Sequence, residues 1–109
     1  MAMVGTTLVI TGSAGDDVVR LMLHGRMLRV YADFLPAGVE FLAFRRAAVK
    51  QVLMRMGDGN DFASVGRRVR QPVLMDGGTG DDQLMAGGGS SWFIGSRGRD
   101  NLRGFAGVR

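Results

Sequence analysis

The side chains of this sequence best equipped for chemistry are acidic, and they share a setting. Asp16, Asp17, Asp58, Asp61, Asp76, Asp81, Asp82 and Asp100 all stand in or beside glycine-rich turns, and only Asp33 and Glu40 lie elsewhere. Two chemistries suit such residues. Adjacent carboxylates, as at Asp16–Asp17 and Asp81–Asp82, can divide general acid and general base work. Carboxylates set among glycine carbonyls can instead hold calcium, a hard cation that wants roughly six to eight oxygens. The turn setting favours the second, with the later Asp of each pair as ligand and the earlier one facing solvent. Other catalytic equipment is thin. His24 is the one histidine and sits in a turn, where a solvated imidazole is the ordinary case. The absence of cysteine excludes disulfides, thiolate metal sites and Cys–His nucleophiles. No Gly-x-Ser-x-Gly elbow occurs, and Ser90–Ser91 have no base nearby in sequence. Gly12-Ser13-Ala14-Gly15 follows a strand, as a phosphate loop would, but lacks the Lys-Ser/Thr pair, and Asp16–Asp17 would repel phosphate. No catalysis is expected of this chain.

The elements that must position the acids follow from a repeat. From Gly77 a nine-residue phrase recurs in phase: GGTGDDQLM, then AGGGSSWFI from Ala86, GSRGRDNLR from Gly95 and GFAGVR from Gly104. Glycine takes the fourth place each time (Gly80, Gly89, Gly98, Gly107), and Leu84, Phe93 and Leu102 take the eighth. Asp82 and Asp100 hold the sixth place in the first and third copies. A glycine-rich hexapeptide turns sharply through positive φ, and the three residues after it alternate in and out as a short strand. Two phrases then complete one coil of about eighteen residues, and copies two apart stack. The Gly77 turn is expected on the Gly95 turn, which brings Asp82 and Asp100 to one gap. On the other side Ser91 and Arg109 stand where carboxylates are needed, so one good cation site is expected.

The phrase resembles the GGxGxDxUx repeat of the hemolysin-type, repeats-in-toxin (RTX) family. The likeness is close over residues 77–109. It is looser in two lone copies, one carrying Gly12, Gly15, Asp17 and Val19, the other Gly59 and Asp61. The resemblance implies a parallel β-roll in an extracellular bacterial protein, with calcium as cofactor and folding coupled to calcium binding. Carried onto this chain, it places the main calcium site at Asp82, Asp100, Gly77, Thr79, Ser96 and Gly98. Asp17 and Asp61 become weaker, isolated candidates. Two features depart from the family pattern. Arg97 and Arg99 lie inside the Gly95 turn, and the chain carries a net charge of +4 with a pI near 11.0.

The fold class expected is all-β: residues 1–67 as irregular strands and hairpins with isolated repeat-like turns, then residues 68–109 as a short parallel β-roll (β-solenoid). Thr6 to Thr11 reads as a strand. The segment from Val18 to Phe34 reads as a hairpin in which Val19, Leu21 and Leu23 face Leu28 and Val30 across a His24-Gly25 turn. Val39 to Phe44 reads as a further strand. Residues 45–56 fit a helix through Val49, Val52, Leu53 and Met56, or a strand through Val52, Met54 and Met56. The strand is preferred because the segment runs straight into the second lone copy. Met75 occupies the apolar place of a degenerate preceding coil.

At 109 residues and 46% hydrophobic content the chain suits one modest ordered domain. No N-terminal secretory signal is visible, and no apolar run is long enough to span a membrane. The partners expected are calcium and the remainder of a larger polypeptide beyond Arg109, with self-association through open strand edges. A reading of another class rests on the thirteen arginines. A degenerate solenoid that binds no calcium would then present a basic surface to an anionic partner: nucleic acid, an anionic polysaccharide or a membrane surface. The dispersal of the arginines along the sequence argues against nucleic acid.

Overall fold

Stretches in which apolar and polar residues alternate become strands, because successive side chains of a strand point to opposite faces. The computed structural model describes residues 1–85, 87–95 and 101–103. It contains β1 (Ala2–Val4), β2 (Thr7–Thr11), β3 (Val18–His24), β4 (Met27–Ala32), β5 (Leu42–Arg45) and β6 (Gln51–Arg55). These are followed by β7 (Phe62–Val65), β8 (Val73–Gly78), β9 (Gln83–Met85), β10 (Ser91–Gly95) and β11 (Asn101–Arg103). Among the described residues the one helical piece is a 3-10 turn, Arg46–Ala48. The chain is all-β.

The strands form two mixed sheets, one ordered β1-β2-β6-β8-β10 and the other β11-β9-β7-β3-β4-β5. From β2 onward, apart from β4 and β5, the chain passes from one sheet to the other and back. As a result β2, β6, β8 and β10 are parallel in the first sheet, and β3, β7, β9 and β11 are parallel in the second. Antiparallel pairing is confined to β1 on β2 and to the β3–β4–β5 meander. Ser91 pairs with Val73, eighteen residues back, as the nine-residue phrase requires. Leu74 pairs with Leu53 at a separation of 21, the longer turn of residues 66–72 accounting for the difference. The meander lengthens the first return further.

The inner faces of the sheets enclose the core: Leu8, Ile10, Val19, Leu21, Leu28, Val30, Val52, Met54, Ala63, Val65, Val73, Met75 and Leu84. Met75 thus holds the apolar place expected of it. No break in either sheet falls at residue 67, since β8 pairs with β6 and β9 with β7. The described residues before and after residue 67 share one core.

Local details follow the backbone. Residues 45–56 resolve into the 3-10 turn and strand β6, with Val52, Met54 and Met56 buried together. In the first hairpin His24 pairs with Met27, so the loop is Gly25–Arg26, one residue later than the His24-Gly25 turn expected. Gly25, at φ +62°, supplies the positive φ that a two-residue hairpin loop demands at its first position. β5 begins at Leu42 because Pro36 to Val39 closes a turn, Val39 N–H donating to the Pro36 carbonyl at 3.0 Å.

Candidate functional site

Three of the turns that carry the chain between the sheets, residues 12–17, 56–61 and 77–82, lie one on another. Parallel pairing of β2, β6 and β8 forces this, because each strand delivers its turn at the same height. The turns pack backbone on backbone. A Cβ on Gly59 would lie 2.5 Å from the Gly15 carbonyl oxygen, and one on Gly80 would collide with the Gly59 carbonyl oxygen. Both glycines adopt positive φ, +99° and +97°. Glycine on the fourth place of the phrase therefore answers two demands, conformation and close approach.

The sixth-place acids form a buried column. Asp17 N–H donates to Asp61 Oδ1 at 2.8 Å, and Asp61 N–H donates to Asp82 Oδ1 at 2.8 Å. Their exposures are 4%, 2% and 1%. A second ladder runs outside the first in the opposite sense. Asn60 N–H donates to Asp16 Oδ1 at 2.7 Å, and Asp81 N–H donates to Asn60 Oδ1 at 2.8 Å. Thr79 adds a bond between layers, its hydroxyl donating to Asp58 Oδ1 at 2.6 Å. Within the first turn the Ser13 N–H and hydroxyl donate to Asp17 Oδ2 and Oδ1 at 2.6 and 2.7 Å. A Cβ on Gly77 would fall 2.6 Å from Asp82 Oδ2, so the first-place glycine makes room for the carboxylate.

Asp61, in the middle layer, is the weak point of this bonding. Its Oδ2 is buried and accepts no hydrogen bond. Burial pushes its carboxyl up from 3.8 to about 7, and the charges of Asp82, Asp17 and Asp16 push the same way against the Asp17 N–H bond, which lowers it. A buried carboxylate oxygen without a donor is costly as an anion and suited to a cation. The side-chain acceptors that bridge the layers are carboxylate and amide oxygens, a set for a hard cation and not for zinc. Among the described residues no group of three or more His, Cys, Asp or Glu side chains converges on one point. A calcium ion here would take one or two carboxylate oxygens, with turn carbonyls supplying the rest.

Of the residues singled out in the sequence, Asp82, Gly77 and Thr79 lie in the uppermost described turn, while Asp100, Ser96 and Gly98 lie outside the described residues. Asp17 and Asp61 are not isolated. Their turns, 44 residues apart, are stacked neighbours, and Asp82 lies 21 residues beyond Asp61. Ser91, on the sixth place of the opposite side, is 1% exposed with its hydroxyl unbonded. His24 ends β3 on the side away from the acid column, beside Met27. Two groups escaped the sequence reading. One is the fifth-place ladder of Asp16, Asn60 and Asp81, whose signal is the recurrence of Asp or Asn after the fourth-place glycine. The other is a set of cations, Arg46, Lys50, Arg68 and Arg70, gathered around one surface hollow.

The chain matches no family model, no curated protein and no solved structure.

Proposed function

We propose that this chain is a calcium-binding β-roll segment of an RTX-like extracellular protein, without catalysis of its own. The alternation of the chain between two parallel ladders supports the roll, each return through both sheets being one coil. The buried Asp61 Oδ2, without a hydrogen bond between the carboxylates of Asp17 and Asp82, carries the calcium reading. In the absence of cation the column sets like charges one above another and the glycine turns are costly to order. Calcium between layers offsets both, so that metal binding contributes directly to folding. Extracellular calcium modules work at dissociation constants on the order of 0.1 to 1 mM, and this short stack belongs in that range. By the phase of the repeat, Asp82 and Asp100 would hold the next calcium layer.

The test is a calcium titration to about 10 mM, followed by far-UV circular dichroism and by calorimetry, with magnesium as control and Asp61→Asn/Asp82→Asn as the comparison. A calcium-specific heat of binding and gain in β signal, both absent from the double variant, is the expected result. Unchanged β structure with no heat of binding would overturn the calcium reading and leave a roll held by packing and the two ladders.

A further inference from the structure

The fold sorts charge that the sequence disperses. Six described acids lie in the stacked turns, and Asp33 and Glu40 sit at the same ends of the strands, lining one hollow with Val18 and Arg20, while Arg55 ends β6 on that side. At the opposite ends, where β7 returns to β8 and the 3-10 turn leads into β6, Arg46, Lys50, Arg68 and Arg70 surround a surface hollow of about 420 Å³. No acid lines it. Gln71 holds its two walls together, its amide nitrogen donating to the Arg46 and Val49 carbonyls at 3.3 and 3.4 Å. Arg26 belongs to the same end, its carbonyl accepting the Arg46 N–H at 2.9 Å.

A second hollow, of about 430 Å³, adjoins the first at Pro72. Its floor is the outward face of the parallel ladder, where Leu53, Leu74 and Trp92 are cross-strand neighbours. Thr7 and Gln51 supply polar groups at its margin, tied by a Gln51 Nε2 to Thr7 Oγ1 bond of 2.7 Å. Trp92 is 41% exposed. An apolar shelf with an aromatic face and a few polar handles thus opens onto four cations.

We infer that this paired hollow binds an acidic oligosaccharide, with sulfate or carboxylate groups on Arg46, Lys50, Arg68 and Arg70 and a sugar ring laid against Trp92. Guanidinium forks match the planar or tetrahedral oxygens of both anions bidentately. The Trp92 ring and the aliphatic floor suit the apolar face of a pyranose, and the Thr7 and Gln51 groups suit its hydroxyls. Concavity speaks against a membrane, which is met by protruding apolar and basic side chains. A nucleic-acid strand calls for successive stacking platforms, and this surface offers one aromatic.

Trp92 is the single tryptophan of the chain, so its emission reports occupancy of the shelf directly. In calcium-containing buffer the full chain is titrated with a sulfated oligosaccharide, a uronic one, a neutral one of equal length, a single-stranded oligonucleotide and phosphatidylserine vesicles. A saturable emission change with either charged saccharide supports the inference, and which of the two binds tighter identifies the anion. The Arg68→Gln/Arg70→Gln variant should bind at least about tenfold more weakly, and raising NaCl from about 0.05 to about 0.2 M should weaken binding further. Its far-UV spectrum should match the parent, both positions being exposed. Equal binding of the neutral saccharide, tighter binding of the oligonucleotide or vesicles, or no saturable change with either charged saccharide would overturn it.

Discussion

Asp61 meets three demands at once. Its Oδ1 accepts the Asp17 N–H of the layer below, its own N–H donates to Asp82 above, and its Oδ2 is buried without a donor. With the carboxyl raised to about 7, folded Asp61 holds its proton more tightly than the unfolded chain does. Stability from this group is therefore fully present below about pH 4 and is lost as pH rises through about 7. In calcium-free buffer the melting temperature is expected to be higher at pH 5.5 than at pH 8. Asp61→Asn keeps the Oδ1 acceptor and removes the charge. It should raise calcium-free stability at pH 8 by on the order of 1–3 kcal/mol and flatten the profile. A profile equally steep in the variant would place the titrating group elsewhere. The fourth-place glycines and sixth-place acids were legible in the sequence because their spacing is fixed by the turn itself. The orphaned Oδ2 was not, since it depends on which turn lies above and which below.

At the scale of elements, the turn stack is held by close approach, and glycine substitutions separate that from conformation. Gly80 and Gly5 both have positive φ, +97° and +60°, but a Cβ at Gly5 meets nothing within 4 Å whereas one at Gly80 collides with the Gly59 carbonyl. Gly5→Ala is expected to cost about 1 kcal/mol from backbone strain, and Gly80→Ala more than about 3 kcal/mol, measured by urea unfolding. Equal costs would mean that the layers part easily. Strand positions were largely legible, for TTLVIT and the Val19-Leu21-Leu23 alternation announce themselves by period. The stacking of the first two turns was hidden. The β4–β5 meander lies between them and stretches the spacing to 44 residues, which breaks the visible phase without breaking the ladder.

For the whole molecule, a shared core predicts shared fate. Met54 is fully buried and belongs to the one cluster that both sheets line. Met54→Ala should cost about 2–5 kcal/mol. Trp92 emission on the first sheet and far-UV circular dichroism over both should lose their signals at one midpoint. Separate midpoints would show that the early and late strands fold as independent units. The all-β class was legible from glycine content and alternation. The separation of charge was not, because arginines far apart in sequence, such as Arg46 and Arg68, meet only when β6 and β8 are laid side by side.

The meander bears on time as well as on shape. Its β3–β4 and β4–β5 contacts are local, made across the Gly25–Arg26 loop and the segment 33–41, whereas each parallel pairing must first close eighteen residues or more. Short closures come sooner, so the meander is the natural nucleus. Each later strand then finds a finished ladder to dock on, and growth proceeds from the amino-terminal side in the order in which a ribosome would release the chain. Self-assembly of this protein has a direction, set by where its one antiparallel meander sits.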